Sequence, residues 1–236
     1  MEKLIVEKNI DGILITNYYN IRYLSNFTGS NSLLLITKNR RYFFTDFRYY
    51  GQAYKEIEKG KYKIIESSGN FINDLIPILK KENIKYIGIE SLDLTVSRLN
   101  LFKENIKNVE FVSLLNEIKL MRMVKTDKEI ENIKQAVKIA DDSFTEILNY
   151  VEDGITEKEL AYNLEYIMRK KGADDRSFDT IIASGSNSAM PHAKPTNKII
   201  ERNKFILFDF GAYYNGYVSD ITRTIFFGND IDKEHE

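Results

Sequence analysis

Apolar and polar positions divide the chain into two stretches of different character. In the first, Ile13-Leu14-Ile15-Thr16 follows the turn residues Asp11-Gly12 and reads as a short buried strand. Leu33-Leu34-Leu35-Ile36 and Arg41-Tyr42-Phe43-Phe44-Thr45, joined by the polar loop Lys38-Asn39-Arg40, read as two more strands that pair antiparallel. Helices and strands then alternate: a helix from Asp46 capped by Thr45 or Asp46, a strand at Tyr62–Glu66, a helix at Phe71–Glu82 interrupted by Pro77, a strand at Tyr86–Glu90, a helix at Ser97–Asn105 and a strand at Val109–Val112. Such alternation predicts an α/β domain, with the antiparallel pair at one end making its sheet mixed.

The second stretch begins with helices. Thr126 or Asp127 caps a long one, with Glu129 as the far partner of a capping box on Thr126, and its apolar stripe runs through Ile130, Ile133, Ala136, Val137, Ala140, Phe144, Ile147 and Leu148 to the stop at Asp153-Gly154. Thr156 and Glu159 open a second helix, which ends at Lys171-Gly172. Strands follow, the first at 177–185, and the domain boundary is placed between 122 and 123.

The last strands carry the candidate chemistry. Asn215-Gly216, flanked by β-branched and aromatic runs over 205–227, predicts a β-hairpin with a type I′ turn. With that two-residue loop Tyr214 faces Tyr217, Gly211 faces Asp220 and Asp209 faces Thr222, so Asp209 and Asp220 share one face as diagonal neighbours while Phe208, Phe210 and Tyr217 occupy the other. Carboxylates so placed can take one or two cations between them. The competing reading is a pair of solvated acids on a half-exposed strand, and a three-residue turn would separate the two acids altogether. Ahead of the hairpin, a long polar loop from Ser184 to Asn197 holds His192 between Pro191 and Pro195, whose rings limit backbone movement. A loop histidine on a stiff frame can relay a proton near neutral pH, or it can be an ordinary surface residue. Asp46 and Arg48 read as a helix cap and a surface charge, and the first half carries no chemistry of its own.

Composition narrows the chemistry further. The 34 Lys+Arg against 35 Asp+Glu, net −1, leave no excess positive charge for a nucleic-acid backbone. Zero cysteines exclude disulfides, thiolate nucleophiles and zinc–thiolate sites, so a metal here is held by oxygen or imidazole. Acids near Met1 where a signal peptide has its basic region, and the lack of a long apolar run, predict a cytoplasmic protein without a membrane partner.

Several segments together carry a family resemblance across nearly the whole chain. They are Lys125-Thr126-Asp127-Lys128-Glu129-Ile130, Gly154-Ile155-Thr156-Glu157, Ser177-Phe178-Asp179-Thr180-Ile181-Ile182-Ala183-Ser184-Gly185, Pro191-His192, Asp209-Phe210-Gly211 and Gly216-Tyr217-Val218-Ser219-Asp220-Ile221-Thr222-Arg223-Thr224. In these the second half resembles the start of the pita-bread metallopeptidase domain of the Xaa-Pro aminopeptidase and prolidase family. In Asn20–Ser30 and Thr45-Asp46-Phe47-Arg48-Tyr49 the first half resembles the N-terminal domain that this family shares with creatinase. The implied fold is an α/β creatinase-like N-terminal domain with a mixed sheet over 1–122, followed over 123–236 by the first part of an α+β pita-bread domain.

The resemblance further implies that Asp209 and Asp220 are the first two of five ligands to a pair of divalent metals, manganese or cobalt, with Asp220 bridging both. The metals would activate a water and polarise the scissile carbonyl of a peptide whose second residue is proline. His192 would contact the substrate and stabilise the tetrahedral intermediate, and Thr222 would orient a carboxylate. Creatinase keeps the fold without metals, and the presence of both aspartates favours the metal-dependent branch. The family draws its other ligands, a histidine and two glutamates, from beyond the hairpin, and His235 in the charged tail does not replace them. The expectation is therefore the N-terminal part of such an enzyme, inactive in isolation and a homodimer when complete. The alternatives are a non-catalytic peptide- or partner-binding module on the same fold, or a creatinase-like amidinohydrolase without metal.

Overall fold

Buried apolar runs with no polar side to alternate form strands covered on both faces, and in the computed structural model, which describes residues 1–229, they supply the centre of the first unit. The chain divides into two units, Met1–Val124 and Lys125–Glu236, against the 122/123 division expected from sequence. In the first, β1 (Gly12–Ile15), β2 (Ser32–Thr37), β3 (Arg41–Asp46), β4 (Lys63–Ser67), β5 (Tyr86–Glu90) and β6 (Glu110–Leu114) form one six-stranded sheet in the order β4-β3-β2-β1-β5-β6. Strand β2 is antiparallel to both β1 and β3, and the remaining pairings are parallel, so the sheet is mixed. The antiparallel pair β2–β3 lies inside the sheet rather than at its end, because β4 adds parallel to the free side of β3.

Because side chains alternate across a strand, consecutive buried residues feed two cores. Ile13, Ile15, Leu34, Ile36 and Phe43 pack with α1 (Glu2–Glu7), α2 (Tyr18–Ser25), α3 (Phe47–Glu56) and α6 (Glu117–Met121), while Leu14, Leu33, Leu35, Tyr42 and Phe44 pack with α4 (Phe71–Lys81) and α5 (Val96–Asn105). Pro77 sits inside α4 without ending it. Asp46 is the N-cap of α3, accepting from Arg48 N at 2.9 Å, and the exposed Arg48 guanidinium pairs with the same carboxylate. Three short helices, α1, α2 and α6, are additions to the elements expected from periodicity. Glu90 explains the second: buried at the end of β5, it accepts from the backbone N–H of Thr16 and Asn17 and from Asn20 Nδ2, gathering the donors at the α2 N-terminus.

Tyr62 gives this unit an alkaline limit. Its hydroxyl donates to the Leu24 carbonyl at 2.9 Å, and burial pushes its pKa up to about 12 despite the opposing charge of Arg41. A folded pKa raised above the ordinary 10.0 contributes stability that is whole below pH 10 and lost as the pH rises through 12. The Tyr62→Phe variant is expected to lose less stability than the parent over that interval. Near neutrality it should cost about 1–2 kcal/mol for the Leu24 carbonyl left without its donor. Melting curves across the interval check this, and parallel declines in the two proteins refute it.

The second unit places α7 (Asp127–Ile147) and α8 (Glu157–Lys170) against strands. Both helices open on complete capping boxes, Thr126 with Glu129 and Thr156 with Glu159. Strands β7 (Asp175–Arg176), β8 (Ile181–Ser184), β9 (Lys204–Phe210), β10 (Ala212–Tyr214), β11 (Tyr217–Val218) and β12 (Ile221–Phe227) form two three-stranded sheets, ordered β12-β9-β8 and β11-β10-β7. The strand expected at 177–185 is shorter than its β-branched run, because Ser177 leaves the strand path: its N–H donates to the Gly211 carbonyl and its hydroxyl to the Ser219 carbonyl. Ile139, Ala140, Ile147, Leu160, Leu164 and Ile167 of the helices enclose Phe208, Phe210 and Ile221 in one core. Among the described residues no helix is long and apolar enough to cross a membrane.

Candidate metal centre

The hairpin has the expected register. Asn215 and Gly216 both adopt positive φ, 46° and 88°, as a type I′ turn demands, and Tyr214 pairs with Tyr217. Thr222 lies opposite Asp209 and Ile221 opposite Phe210, on the same count as the pairs near the turn. Between these two ladders lies a seam. At Gly211 the hairpin passes from one three-stranded sheet to the other, and Ser219 bridges it by donating its N–H to the Ala212 carbonyl and accepting from Ala212 N through its hydroxyl. Gly211 lies so close to the facing strand that an added Cβ would stand 2.0 Å from the Ser219 carbonyl oxygen.

Of the two acids, one lies on a ladder and the other in the seam. Asp209 is half-buried on β9 and accepts a hydrogen bond from Thr222 Oγ1 at 3.1 Å, whereas Asp220 is exposed in the step between β11 and β12. Among the described residues neither carboxylate has a cationic partner, and no group of three or more histidine, aspartate and glutamate side chains is gathered in metal-binding geometry. The sheet thus brings Asp209 and Thr222 into contact and sets Asp220 on the same hairpin. His192 is exposed in the loop between β8 and β9 and makes no hydrogen bond to either acid. His235 lies outside the described residues.

The opposite side of the hairpin is anchored to α7. Phe208 and Phe210 are fully buried, with Phe144 edge-on to the first at 5.5 Å between ring centroids and stacked on the second at 6.1 Å. Tyr217, placed by the sequence on that apolar side, is only half-buried, and its hydroxyl donates to Glu129 Oε1 at 2.9 Å. Asn215 Nδ2 donates to Asn132 Oδ1 at 3.1 Å, and Arg223 reaches Asp141 at 3.5 Å. These polar ties fix the hairpin along α7. Glu157, which the sequence marks only as part of the Gly154-Ile155-Thr156-Glu157 segment and to which it assigns no role, is a first-turn acid of α8 beside its capping box and is wholly buried.

Comparison with known proteins agrees with this architecture. Residues 1–124 match the creatinase/prolidase N-terminal domain, and residues 131–236 match metallopeptidase family M24. The uncharacterized peptidase YqhT of Bacillus subtilis is 39% identical over 236 residues, 100% of this chain and 66% of its own length. A Xaa-Pro dipeptidase of Pyrococcus furiosus is 34% identical over 100% of this chain and 67% of its own. Among solved structures, a Xaa-Pro dipeptidase from Bacillus anthracis superposes with a TM-score of 0.93 at 43% identity, covering 99% of this chain and 65% of that one. An X-Pro aminopeptidase from Thermotoga maritima gives 0.90 at 40% identity, covering 96% and 65%. The chain therefore spans about two thirds of the length of the relatives it matches. With both units matched in the order seen in those relatives, the chain belongs to metallopeptidase family M24 and carries that family's creatinase/prolidase N-terminal domain.

Proposed function

We propose that this chain is the N-terminal part of a metal-dependent exopeptidase that cleaves Xaa-Pro peptide bonds in the cytoplasm. The observation that carries the reading is the pairing of Asp209 with Thr222 on a hairpin that holds Asp220 in the seam at Gly211. The names of the relatives, Xaa-Pro dipeptidase and X-Pro aminopeptidase, support the substrate class.

Asp209 and Asp220 are the metal ligands of this reading. Their oxygens are the hard donors that manganese or cobalt accepts, and neither is neutralised by a lysine or arginine among the described residues. Two carboxylates are too few for a two-ion site, so the remaining ligands belong to the third of the relatives' length that this chain does not span. A bound metal pair would supply Lewis-acid polarisation of the scissile carbonyl and an activated water. The protein's own groups do the rest. Thr222 fixes the rotation of the Asp209 carboxylate through its Oδ1, and His192 donates a hydrogen bond to the substrate carbonyl oxygen as charge develops there. The complete protein acts as a homodimer in this reading, by resemblance alone, and light scattering showing a monomer at micromolar concentration refutes that part.

Purified chain with manganese or cobalt is expected to give no turnover of a Xaa-Pro dipeptide or a longer Xaa-Pro peptide above that of Asp220→Ala. Turnover that disappears in Asp220→Ala would show that these residues suffice. A chain extended to the relatives' length should hydrolyse the same peptides and lose activity to chelation, to Asp209→Ala and to Asp220→Ala. Chelator-resistant activity on an amidine substrate would instead support the creatinase-like reading, and peptide binding without hydrolysis the binding module.

A further inference from the structure

The loop that carries His192 leaves the end of β8 at Ser184 and returns beside the start of α8 at Thr196, and one buried carboxylate holds both ends. Glu157 is 0% exposed. Its Oε1 accepts from Ser184 N at 2.8 Å, Ser184 Oγ at 3.1 Å and Asn187 Nδ2 at 3.1 Å. Its Oε2 accepts from Asn187 Nδ2 at 3.1 Å, Thr196 N at 3.1 Å and Thr196 Oγ1 at 2.7 Å. Backbone bonds reinforce the closure: Glu157 N donates to the Lys198 carbonyl and Lys158 N to that of Thr196, while Lys198 Nζ reaches the Ser184 carbonyl at 2.7 Å. A segment of this length whose ends meet is an Ω-loop.

A buried carboxylate is costly unless its oxygens are satisfied, and here every partner is a donor. Burial raises the Glu157 pKa, but the bonds from Thr196, Ser184 and Asn187 outweigh that and hold it below its ordinary value, so the charged form is the one the loop is built around. Helix capping does not account for Glu157. The α8 N-terminus already has its capping box, with Glu159 N donating to Thr156 Oγ1 at 3.2 Å and Thr156 N to Glu159 Oε2 at 2.9 Å.

We propose that Glu157 is the positioning residue of the His192 loop, a clasp whose two oxygens each hold one end so that His192 is presented in a single arrangement. The functional half of this inference rests on the reading of His192 given above; the clasp itself does not.

The isosteric change Glu157→Gln separates a clasp from a space-filler. Oε1 faces the backbone N–H of Ser184 and Oε2 that of Thr196, so an amide nitrogen in either place confronts a donor and releases one end of the loop. Amide hydrogen exchange on the chain as it stands is expected to quicken roughly tenfold or more over 184–196 in Glu157→Gln, the scale of one buried donor left unpaired. The imidazole NMR signal of His192, assigned by its loss in His192→Ala, is expected to change with it. Amides of α7 and β9 should keep their protection. Unchanged exchange in the loop, or equal loosening of α7, β9 and the loop, overturns the clasp. In the extended enzyme, Glu157→Gln is expected to lower kcat/KM toward the level of His192→Ala with metal content unchanged. A loosened loop combined with full activity of His192→Ala upholds the clasp and removes the catalytic role of His192, so the two failures remain distinct.

Discussion

The Gly211→Ala variant is expected to lose about 3 kcal/mol or more of stability in Lys125–Glu236, enough to unfold a unit of ordinary marginal stability. Its new Cβ would stand 2.0 Å from the Ser219 carbonyl oxygen and 2.2 Å from Ser177 Oγ. A flexible side chain could turn away, but the Ser219 carbonyl is backbone, and Ser219 is tied across the seam by Ala212 through both N–H and hydroxyl. Ser177 is held as well, by its N–H on the Gly211 carbonyl. Relief therefore requires the facing strand to move, which breaks the step in which Asp220 sits on the same hairpin as the Asp209–Thr222 pair. Denaturant unfolding of the variant provides the check; a loss below about 1 kcal/mol would mean that the seam yields far more easily than its hydrogen bonds imply.

Phe208→Ala should be of comparable severity, at about 3–5 kcal/mol. The ring is fully buried between the hairpin and α7, with Phe144 edge-on to it. Its removal leaves a cavity lined by residues anchored in two different elements, which limits collapse. Thr224→Ala, an exposed change on neighbouring β12, serves as the control and is expected to stay within about 0.5 kcal/mol of the parent. Similar losses in the two variants would show that Phe208 is not part of a packed core.

What the sequence revealed follows the range of the interactions involved. Asn215-Gly216 announced its own turn because the chemistry is local, and the register of Asp209 and Thr222 followed by counting. Thr126 with Glu129 and Thr156 with Glu159 were legible for the same reason, their partners lying within one helical turn. Helix α2 was not, because Glu90 gathers its donors from far along the chain. Nothing local marks Glu157 as a clasp, since Ser184, Asn187 and Thr196 meet it only in the folded chain. The same counting that placed the acids on one continuous ladder gave no sign of the seam. The strands keep register through Gly211 while their hydrogen bonding passes to a different sheet, and only the absent Cβ of a glycine hinted at so close an approach.

The sheet order of the first unit has a consequence for how the protein is made. Strand β1 emerges from the ribosome early, and although Leu35 of β2 soon covers one side of Leu14, the other side waits for Ile89 of β5. At usual rates of synthesis that leaves one edge of an entirely buried Gly-Ile-Leu-Ile segment unpaired for several seconds, on the order of 4–15 s. Chains arrested before Tyr86 should accordingly be chaperone clients, and chains arrested well past Leu114 should not. Residues 86–114 thus act as the completion signal of their own domain, and the edge exposed until they arrive is the central seat of the sheet.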